Sequence, residues 1–482
     1  MAVGSRELTG WPTAVVGTDV VVPLAGGGEG RYINLDNAAS TPPLRAAAEA
    51  VSSFLPWYSS VHRGAGYKSL VSTAAFEQGR QDIRRFFGVG GDQSVIFTKS
   101  TTEGLNRLAR LFAARRATVI VSPMEHHANL LPWRKEGCPV RYVRCDGDGV
   151  LDLEDLRTQL TELSGEVVVA LSGAYNVTGY CPPIHEIARL AHQHEAVVVV
   201  DGAQLAAHRP ICLAGTRGSD RVDYFVCSAH KIYAPFGVGV LVAPSDVLAS
   251  ATPDLVGGGV ADLVTRTGEW WTGLPGREEA GSPNVVGVVA LAAALNHLEK
   301  LGMENIRRHE EELTLRLKEG LSSCPGVRVL ASSSVPEHWS QVGVVSFTTP
   351  HVPHEVVAAR LGYEFGIGVR TGRFCAHPAV LQLLGVSEAD AQAALSRLAA
   401  GQPSDLPDAL RASLGLENTA EDVEALVSAL RQITNGTPSP FTYARNSETG
   451  DLQPEGWGTP WPSLVRCAGP EGDRSAEGST RC

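Results

Sequence analysis

Long apolar runs are missing from this 482-residue chain. No uninterrupted hydrophobic stretch approaches the roughly 20 residues that cross a bilayer, so no membrane role is expected. Met1 to Pro23 include Val20-Val21-Val22 but lack the charged, then apolar, then small-residue order of a secretory signal, and the expected compartment is the cytoplasm. Basic low-complexity segments are also absent. The formal net charge is −11, whereas nucleic-acid binding generally needs a concentrated positive face, so no nucleic-acid partner is expected. The nine cysteines are odd in number and scattered, without a Cys-x-x-Cys pair. That fits neither a disulfide framework nor a zinc knuckle; no metal site is expected, and most thiols read as small core hydrophobes. No internal repeat is visible.

What is present is a chain with 43% hydrophobic and 19% charged residues, globular and long enough for two domains. From about Gly88 to Val242, apolar strands alternate with helices. Val95-Ile96-Phe97-Thr98, Thr118 to Ser122, Val167 to Leu171, Ala196 to Val200, Tyr224-Phe225-Val226 and Gly239 to Val242 read as strands. Helical spacing follows Leu105, Leu108 and Leu111-Phe112, and again His185 to His194. Continuous apolar strands separated by helices predict an α/β fold with a largely parallel sheet covered on both faces.

After Gly281 the texture changes. Leu291, Leu295, Leu298 and Leu301 mark one helical stripe, and Ile306, Leu313, Leu317 and Leu321 another. Strand-like Val342 to Phe347 and Ile367 to Val369 follow, and helices continue to Ile433. The expected division is an N-terminal arm over 1–30, an N-terminal segment and large domain over 31–285, a smaller α+β domain over 286–435, and a tail over 436–482. Ala25 to Gly30 reads as a flexible lead-in, and the Pro, Gly and Ser content of the tail predicts poor order or a surface-draped path.

The run Cys227-Ser228-Ala229-His230-Lys231 follows Asp201-Gly202-Ala203-Gln204 by roughly one βαβ repeat. Taken singly, Ser-x-His-Lys is a solvated loop and an Asp after four valines is a strand end. Both sit at carboxyl ends of strands, where open α/β sheets bind ligands. Together they point to pyridoxal 5'-phosphate: a lysine for the Schiff base, a carboxylate for the pyridinium nitrogen, and hydroxyl and imidazole groups for the phosphate. Ser100-Thr101-Thr102-Glu103 joins a strand to a helix, which makes either a plain N-cap or an anion cup at the positive helix end; beside Ser228 to Lys231 the anion cup is the better reading. Glu125-His126-His127-Ala128-Asn129 lies just past a strand, where a histidine stacks on a flat heterocycle or shuttles protons.

In these segments the chain resembles the class V, fold type I pyridoxal-phosphate enzymes, and within them the Suf-type cysteine desulfurases and selenocysteine lyases. The resemblance is carried by Leu35 to Pro42, Val61-His62-Arg63-Gly64, Thr101 to Gly104, Glu125 to Asn129 with Pro132-Trp133, Asn176-Val177-Thr178-Gly179, Asp201 to Gln204, Ser228 to Lys231, Ala280 to Asn284 and Arg370 to Ala376. These motifs are collinear and span roughly Tyr32 to Ile433. The resemblance implies a large domain with a largely parallel seven-stranded sheet and a smaller α+β domain. It implies that Lys231 carries the cofactor and moves protons, Asp201 pairs with the ring nitrogen, Gln204 with the phenolic oxygen, and His126 stacks on the ring. Thr101, Thr102, Ser228 and His230 would hold the phosphate, with Ser282 reaching in from a second subunit, so a homodimer with shared sites is expected. Asn176 and Arg370 would bind the substrate carboxylate region, joined by Arg411 and Arg63. Cys375 would attack the substrate sulfur, leaving a persulfide and releasing alanine, with Arg373, Arg370 and His377 as the neighbours that lower its pKa. The implied substrate is a small amino acid, L-cysteine or a relative, and a sulfur-acceptor protein is an implied partner.

The departures surround the substrate more than the cofactor. Arg373-Phe374 precede the cysteine where family members often carry histidines, Tyr175 stands where a small hydroxyl residue is common, and Gly66-Tyr67-Lys68 replace a second histidine. The second arginine, Arg411, appears only after an insertion around Gly385 to Leu410. Other readings therefore stay open: a class V enzyme of a specialised pathway (C–S lyase, epimerase or aminotransferase-like) in which Cys375 is incidental, or a non-catalytic scaffold. Retention of Lys231, Asp201 and His126 argues against the scaffold, because buried, unused charges are costly to desolvate.

Overall fold

The computed structural model describes residues 11–62, 64–332, 336 and 339–458. Its seven-stranded sheet has the order Gln93–Thr98, Gly239–Pro244, Tyr224–Ser228, Val197–Asp201, Val167–Ser172, Thr118–Val121, Val140–Tyr142. Only Gly239–Pro244 runs against its neighbours; the other pairings are parallel. The central strands are almost wholly buried, as their β-branched runs require when helices cover both faces.

The helix Thr101–Ala114 covers one face, packing Leu105, Leu108 and Phe112 with Val119, Val226 and Leu241. On the other face, Val285–Leu301 packs against Arg45–Phe54 and Tyr67–Phe86. This differs from the expected division at residue 286: Leu291, Leu295 and Leu298 belong to the large core. The reason is composition. The segment VVGVVALAAAL is apolar around its whole circumference, and such a helix is buried on all sides. The second core begins with the next helix, Met303–Ser322, bent from the first by 77°. No single described helix is long and apolar enough to cross a membrane.

That second core is an antiparallel sheet of order Arg328–Val329, Val344–Thr348, Ala409–Ser413, Arg370–Gly372. Met303–Ser322, His354–Phe365 and Ala420–Thr434 pack on it through Leu313, Leu317, Leu361, Leu426 and Leu430. Ile33–Asn34 pairs in parallel with Ile367–Gly368, so the early segment starts on the second core before crossing to the large sheet.

The glycine-rich Ala25 to Gly30 is a hairpin turn rather than a flexible lead-in. Val21–Pro23 pairs antiparallel with Glu29–Arg31, Leu24 N donates to Gly28 O at 3.1 Å, and Gly27 and Gly28 take φ of 80° and 87°. Only glycine occupies that region without strain. The tail, to residue 458, drapes on His354–Phe365 as a second hairpin, Tyr443–Arg445 with Leu452–Pro454; Tyr443 Oη donates to Glu364 at 2.9 Å.

One glycine fixes how the sheet meets the anion cup. Gly239 lies opposite both Ser228 and Thr98, and a Cβ there would stand 2.6 Å from Ser100 Cα. Gly239→Ala is therefore expected to push the Ser100–Thr102 turn outward at a cost of about 1–3 kcal/mol, lowering the denaturation midpoint and weakening anion binding together; isothermal titration and urea unfolding check this.

Candidate active site

Ser172, Asp201 and Ser228 close three neighbouring parallel strands, with Ser172 opposite Asp201 in register. Past Ser228 the chain turns through Ala229–Lys231. The turn is clamped by an early segment: the His230 carbonyl accepts from Thr41 N at 2.9 Å, Ser40 Oγ at 3.1 Å and Thr41 Oγ1 at 3.2 Å. The result is a cleft of about 250 Å³ at the carboxyl edge of the sheet. Its lining includes Thr101, Thr102, His126, Asn176, Asp201, Gln204, Ser228, His230, Lys231, Arg370, Cys375 and Arg411. Ser282 is exposed and does not line this cleft; Arg63 lies outside the described residues.

Among the described residues none gives Lys231 Nζ a hydrogen bond or an ion pair. Desolvation in the cleft, opposed by the nearby Asp201 carboxylate, brings its ammonium down from 10.5 to about 8. Asp201 is itself 4% exposed; burial raises its pKa against the Ala203 N–H, which donates to Oδ1 at 2.9 Å, and against Lys231. His126 Nδ1 accepts from Ala128 N at 3.1 Å, which leaves the ring proton on Nε2. Burial and the positive charges of Lys231, His127 and Arg411 push His126 down to about 3. The imidazole is thus a neutral flat plate, and a shuttle through its imidazolium would need a pH far below neutral.

The anion cup is built from a strand end and a helix start. Thr101 N donates to Ser228 Oγ at 2.7 Å, and the Thr101 and Ser228 hydroxyls are 2.7 Å apart. Burial and Lys231 hold His230 down, to about 4, so it meets an anion as a neutral donor. Gln204 Nε2 donates to Ala38 O at 2.7 Å, which leaves one amide hydrogen for a ligand.

Sequence reasoning gave Glu125 no role, yet it anchors Ser172, which lines the cleft. It is fully buried and accepts from Ser122 Oγ at 2.6 Å, Ser172 Oγ at 2.6 Å and Asn129 Nδ2 at 2.8 Å. Burial outweighs these bonds and raises its pKa to about 7. The available signal was an acid between a strand-end serine and a histidine pair.

Cys375 sits in a tight turn. Ala376 N donates to Arg373 O at 2.9 Å, and both central residues are left-handed, Phe374 at φ 51° and Cys375 at φ 53°. Outside glycine, such conformations cost about 1–3 kcal/mol each and persist only when the surroundings enforce them. Here Asn176 Nδ2 donates to the Phe374 carbonyl at 2.7 Å, His127 N to the Cys375 carbonyl at 2.7 Å, and the Arg411 guanidinium lies 5.0 Å from the Phe374 ring centre. The thiol is exposed. A thiolate at Cys375 raises the pKa of Lys231 and Arg411, so these two cations are its electrostatic neighbours. The cations expected from sequence are engaged otherwise: Arg373 pairs with Asp408 at 3.0 Å and Arg370 with Asp36 at 3.5 Å. His377 stands against the His127 ring, 4.5 Å between centres.

Strand register explains the late arginine. Arg370 and Arg411 are directly opposite on adjacent antiparallel strands, and Asp36 lies between them, 3.0 Å from Arg411. Like charges opposed on a sheet repel, and the shared carboxylate offsets that. The insertion that delays Arg411 contains the helix Glu388–Ala399.

Two observations test these residues against pyridoxal 5'-phosphate. Asn176 Oδ1 is buried with no hydrogen-bond partner among the described residues, and the Lys231 amine has none either. An unpaired amine beside a carboxylate, a neutral flat ring and a hydroxyl-rich helix start together suit an aldehyde, a heterocycle and a phosphate. The set fits. The unpaired acceptor at Asn176 suits a ligand donor, and the opposed guanidinium groups of Arg370 and Arg411 have the chemistry to bind a carboxylate.

The family model "Aminotransferase class-V" matches residues 33–426. A probable cysteine desulfurase of Halalkalibacterium halodurans is 32% identical over 410 residues, covering 83% of this chain and 92% of that protein. A cysteine desulfurase of Klebsiella pneumoniae is 33% identical over 418 residues, covering 83% and 93%. Among solved structures, the apo cysteine desulfurase from Thermococcus onnurineus NA1 superposes with a TM-score of 0.73 at 29% identity, over 84% of this chain and 95% of that one.

Two outcomes are expected. Because Lys231 loses its proton near 8 rather than 10.5, borohydride trapping of the aldehyde on cofactor-free protein should accelerate as pH rises towards 8 and level off above it, located by mass spectrometry at Lys231. Glu125→Ala strands three buried donors, each costing about 1–3 kcal/mol, whereas Glu125→Gln keeps an acceptor; urea unfolding should show the alanine variant far less stable than the glutamine one.

Proposed function

The chain belongs to the aminotransferase class-V family, and we propose that it is a cysteine desulfurase, taking sulfur from L-cysteine onto Cys375 and releasing L-alanine. The observation that carries the reading is the left-handed turn presenting an exposed thiol at the cleft that Lys231 and Arg411 line. The relatives named above supply the substrate class.

Pyridoxal 5'-phosphate, the family's cofactor, would be held by Lys231, Asp201 and the Thr101–Ser228 cup and would supply an electron sink for the substrate's carbon. The chain's own residues do the rest. Arg411 and Arg370 fix the substrate carboxylate, exchanging it for Asp36. Lys231 Nζ, once free of the cofactor and as an amine with a pKa of about 8, takes the substrate Cα proton near neutral pH. The Cys375 thiolate attacks the substrate sulfur; an S–S bond forms, the C–S bond breaks with its electron pair staying on Cβ, and alanine is completed by a proton added at Cβ and by return of the Cα proton from Lys231. His126 keeps the ring plane covered. The persulfide then lies on an exposed residue, within reach of a sulfur-acceptor protein.

A second copy of the chain belongs to this reading. Val256, Leu263, Val264 and Trp270 are exposed by 61%, 61%, 69% and 71% around the hairpin Ala261–Val264 with Glu269–Trp271, a concentration of apolar surface that favours association. Ser282 follows closely in the chain and faces solvent in one protomer.

In Cys375→Ser, alanine formation from L-cysteine should fall by about 10²-fold or more while the cofactor's absorbance band persists. Undiminished alanine would remove Cys375 from the reaction, and pyruvate in place of alanine would identify an eliminating lyase instead.

A further inference from the structure

Two departures from the family pattern meet at one point. Arg373 is the first residue of the left-handed turn that presents Cys375, its carbonyl accepting from Ala376 N at 2.9 Å. Its guanidinium reaches the returning arm of the inserted stretch: Nη2 donates to Leu406 O at 2.7 Å, Nε to Pro407 O at 3.2 Å, and Nε lies 3.0 Å from Asp408 Oδ1. The other Asp408 oxygen is 3.6 Å from His354 Nε2, and His354 Nδ1 is hydrogen-bonded to Thr371 Oγ1, so the same carboxylate is linked through His354 to the strand that leads into the turn.

The inserted helix Glu388–Ala399 buries only Ala394 and exposes Leu395 and Leu398. Apolar packing therefore does little to fix the insertion, and the fork on Arg373 is its polar attachment beside the cleft. Asn176 and Arg411 hold the turn's second residue and His127 its third; Arg373 is what holds the first.

We propose that Arg373 and Asp408 form a latch that makes the inserted segment a brace for the Cys375 turn, positioning the thiol for sulfur transfer. Arg373 is a positioning residue, acting through Cys375 rather than on the substrate, and the proposal rests on the reading of Cys375 as the sulfur acceptor. A planar guanidinium fork suits the two carbonyls and the carboxylate that converge there on Nε and Nη2, whereas a histidine has at most two N–H donors and a lysine's three diverge from a single nitrogen. This gives the residue that stands in place of the family's histidine a reason tied to the insertion.

The test compares Arg373→Gln, Arg373→Lys, Asp408→Asn and the swap Arg373→Asp/Asp408→Arg as cofactor-loaded proteins. Arg373→Gln and Asp408→Asn should each lower kcat for alanine formation by about 10-fold to 10²-fold with KM nearly constant, as expected of a misplaced nucleophile. The cofactor band should stay unchanged and the alkylation rate of Cys375 by iodoacetamide should shift several-fold. Arg373→Lys should retain part of the activity, and the swap should exceed Arg373→Asp, made as its single-substitution control. Unchanged kcat and unchanged alkylation in both single variants overturn the latch; if Arg373→Gln does not fold, Asp408→Asn decides. If Cys375→Ser proves fully active, the sulfur-acceptor reading falls, and the alkylation rate alone then judges the latch: unchanged, it too is overturned.

Discussion

Everything at this site depends on an amine held out of water beside a carboxylate it does not bond. Lys231 and Asp201 are desolvated in one cleft, and the attraction between them is too weak to restore the lysine's solution basicity. A direct buried ion pair would have locked the ammonium in its charged form and raised its pKa. Separation leaves an amine that is partly neutral near physiological pH, the state in which nitrogen attacks a carbonyl or accepts a proton. The sheet enforces this arrangement, since Asp201 ends one strand and Lys231 lies one 3-10 turn beyond the end of the next.

A short early segment joins this pair to the substrate end. Ile33–Asn34 is fixed to the second core by Ile367–Gly368, Asp36 bridges the two arginines, and Ser40 and Thr41 clamp the His230 carbonyl. The lysine turn and the arginines lie on different sheets, yet only a few residues of one chain separate their anchors. A shift of the second core is therefore transmitted to both ends of the cleft. The opposed arginines also make the site receptive: Asp36 satisfies them by charge, and an incoming carboxylate offers the same charge with a bidentate geometry.

Much of this was legible in the sequence because it depends on local signals. Strand runs of valine, the strand-to-helix turn at Ser100, and the pairing of Asp201 with the Ser228–Lys231 run are written within a few residues each, and the parallel sheet then brings them together. What escaped depends on tertiary context. A helix apolar on all sides does not say which core it joins, so the segment after residue 285 was expected in the second domain and lies in the first. Six residues rich in glycine read as a flexible lead-in when positive φ values make them a hairpin turn. Glu125 sits in a motif without an evident task until Ser172, far away in sequence, points its hydroxyl at it. Arg373 looks like a cation meant for its neighbouring thiol until the insertion returns and supplies Asp408.

The burial gradient across the cleft separates two kinds of chemistry. Asp201 and Arg411 line it and are buried, with Glu125 buried behind Ser172, and low dielectric strengthens each charge interaction there. Cys375 is exposed at the cleft, held by backbone hydrogen bonds rather than by burial of its side chain. Proton transfer at carbon needs the dry end, since an amine of lowered pKa is useful only where it stays desolvated. In the proposed function, delivery of sulfur to another molecule would need the wet end, since a buried persulfide would have no acceptor. A mobile loop would reconcile these needs by carrying the thiol between them. A strained turn, pinned at each of its first three residues, reconciles them by standing at the boundary, with its fixed position replacing the motion.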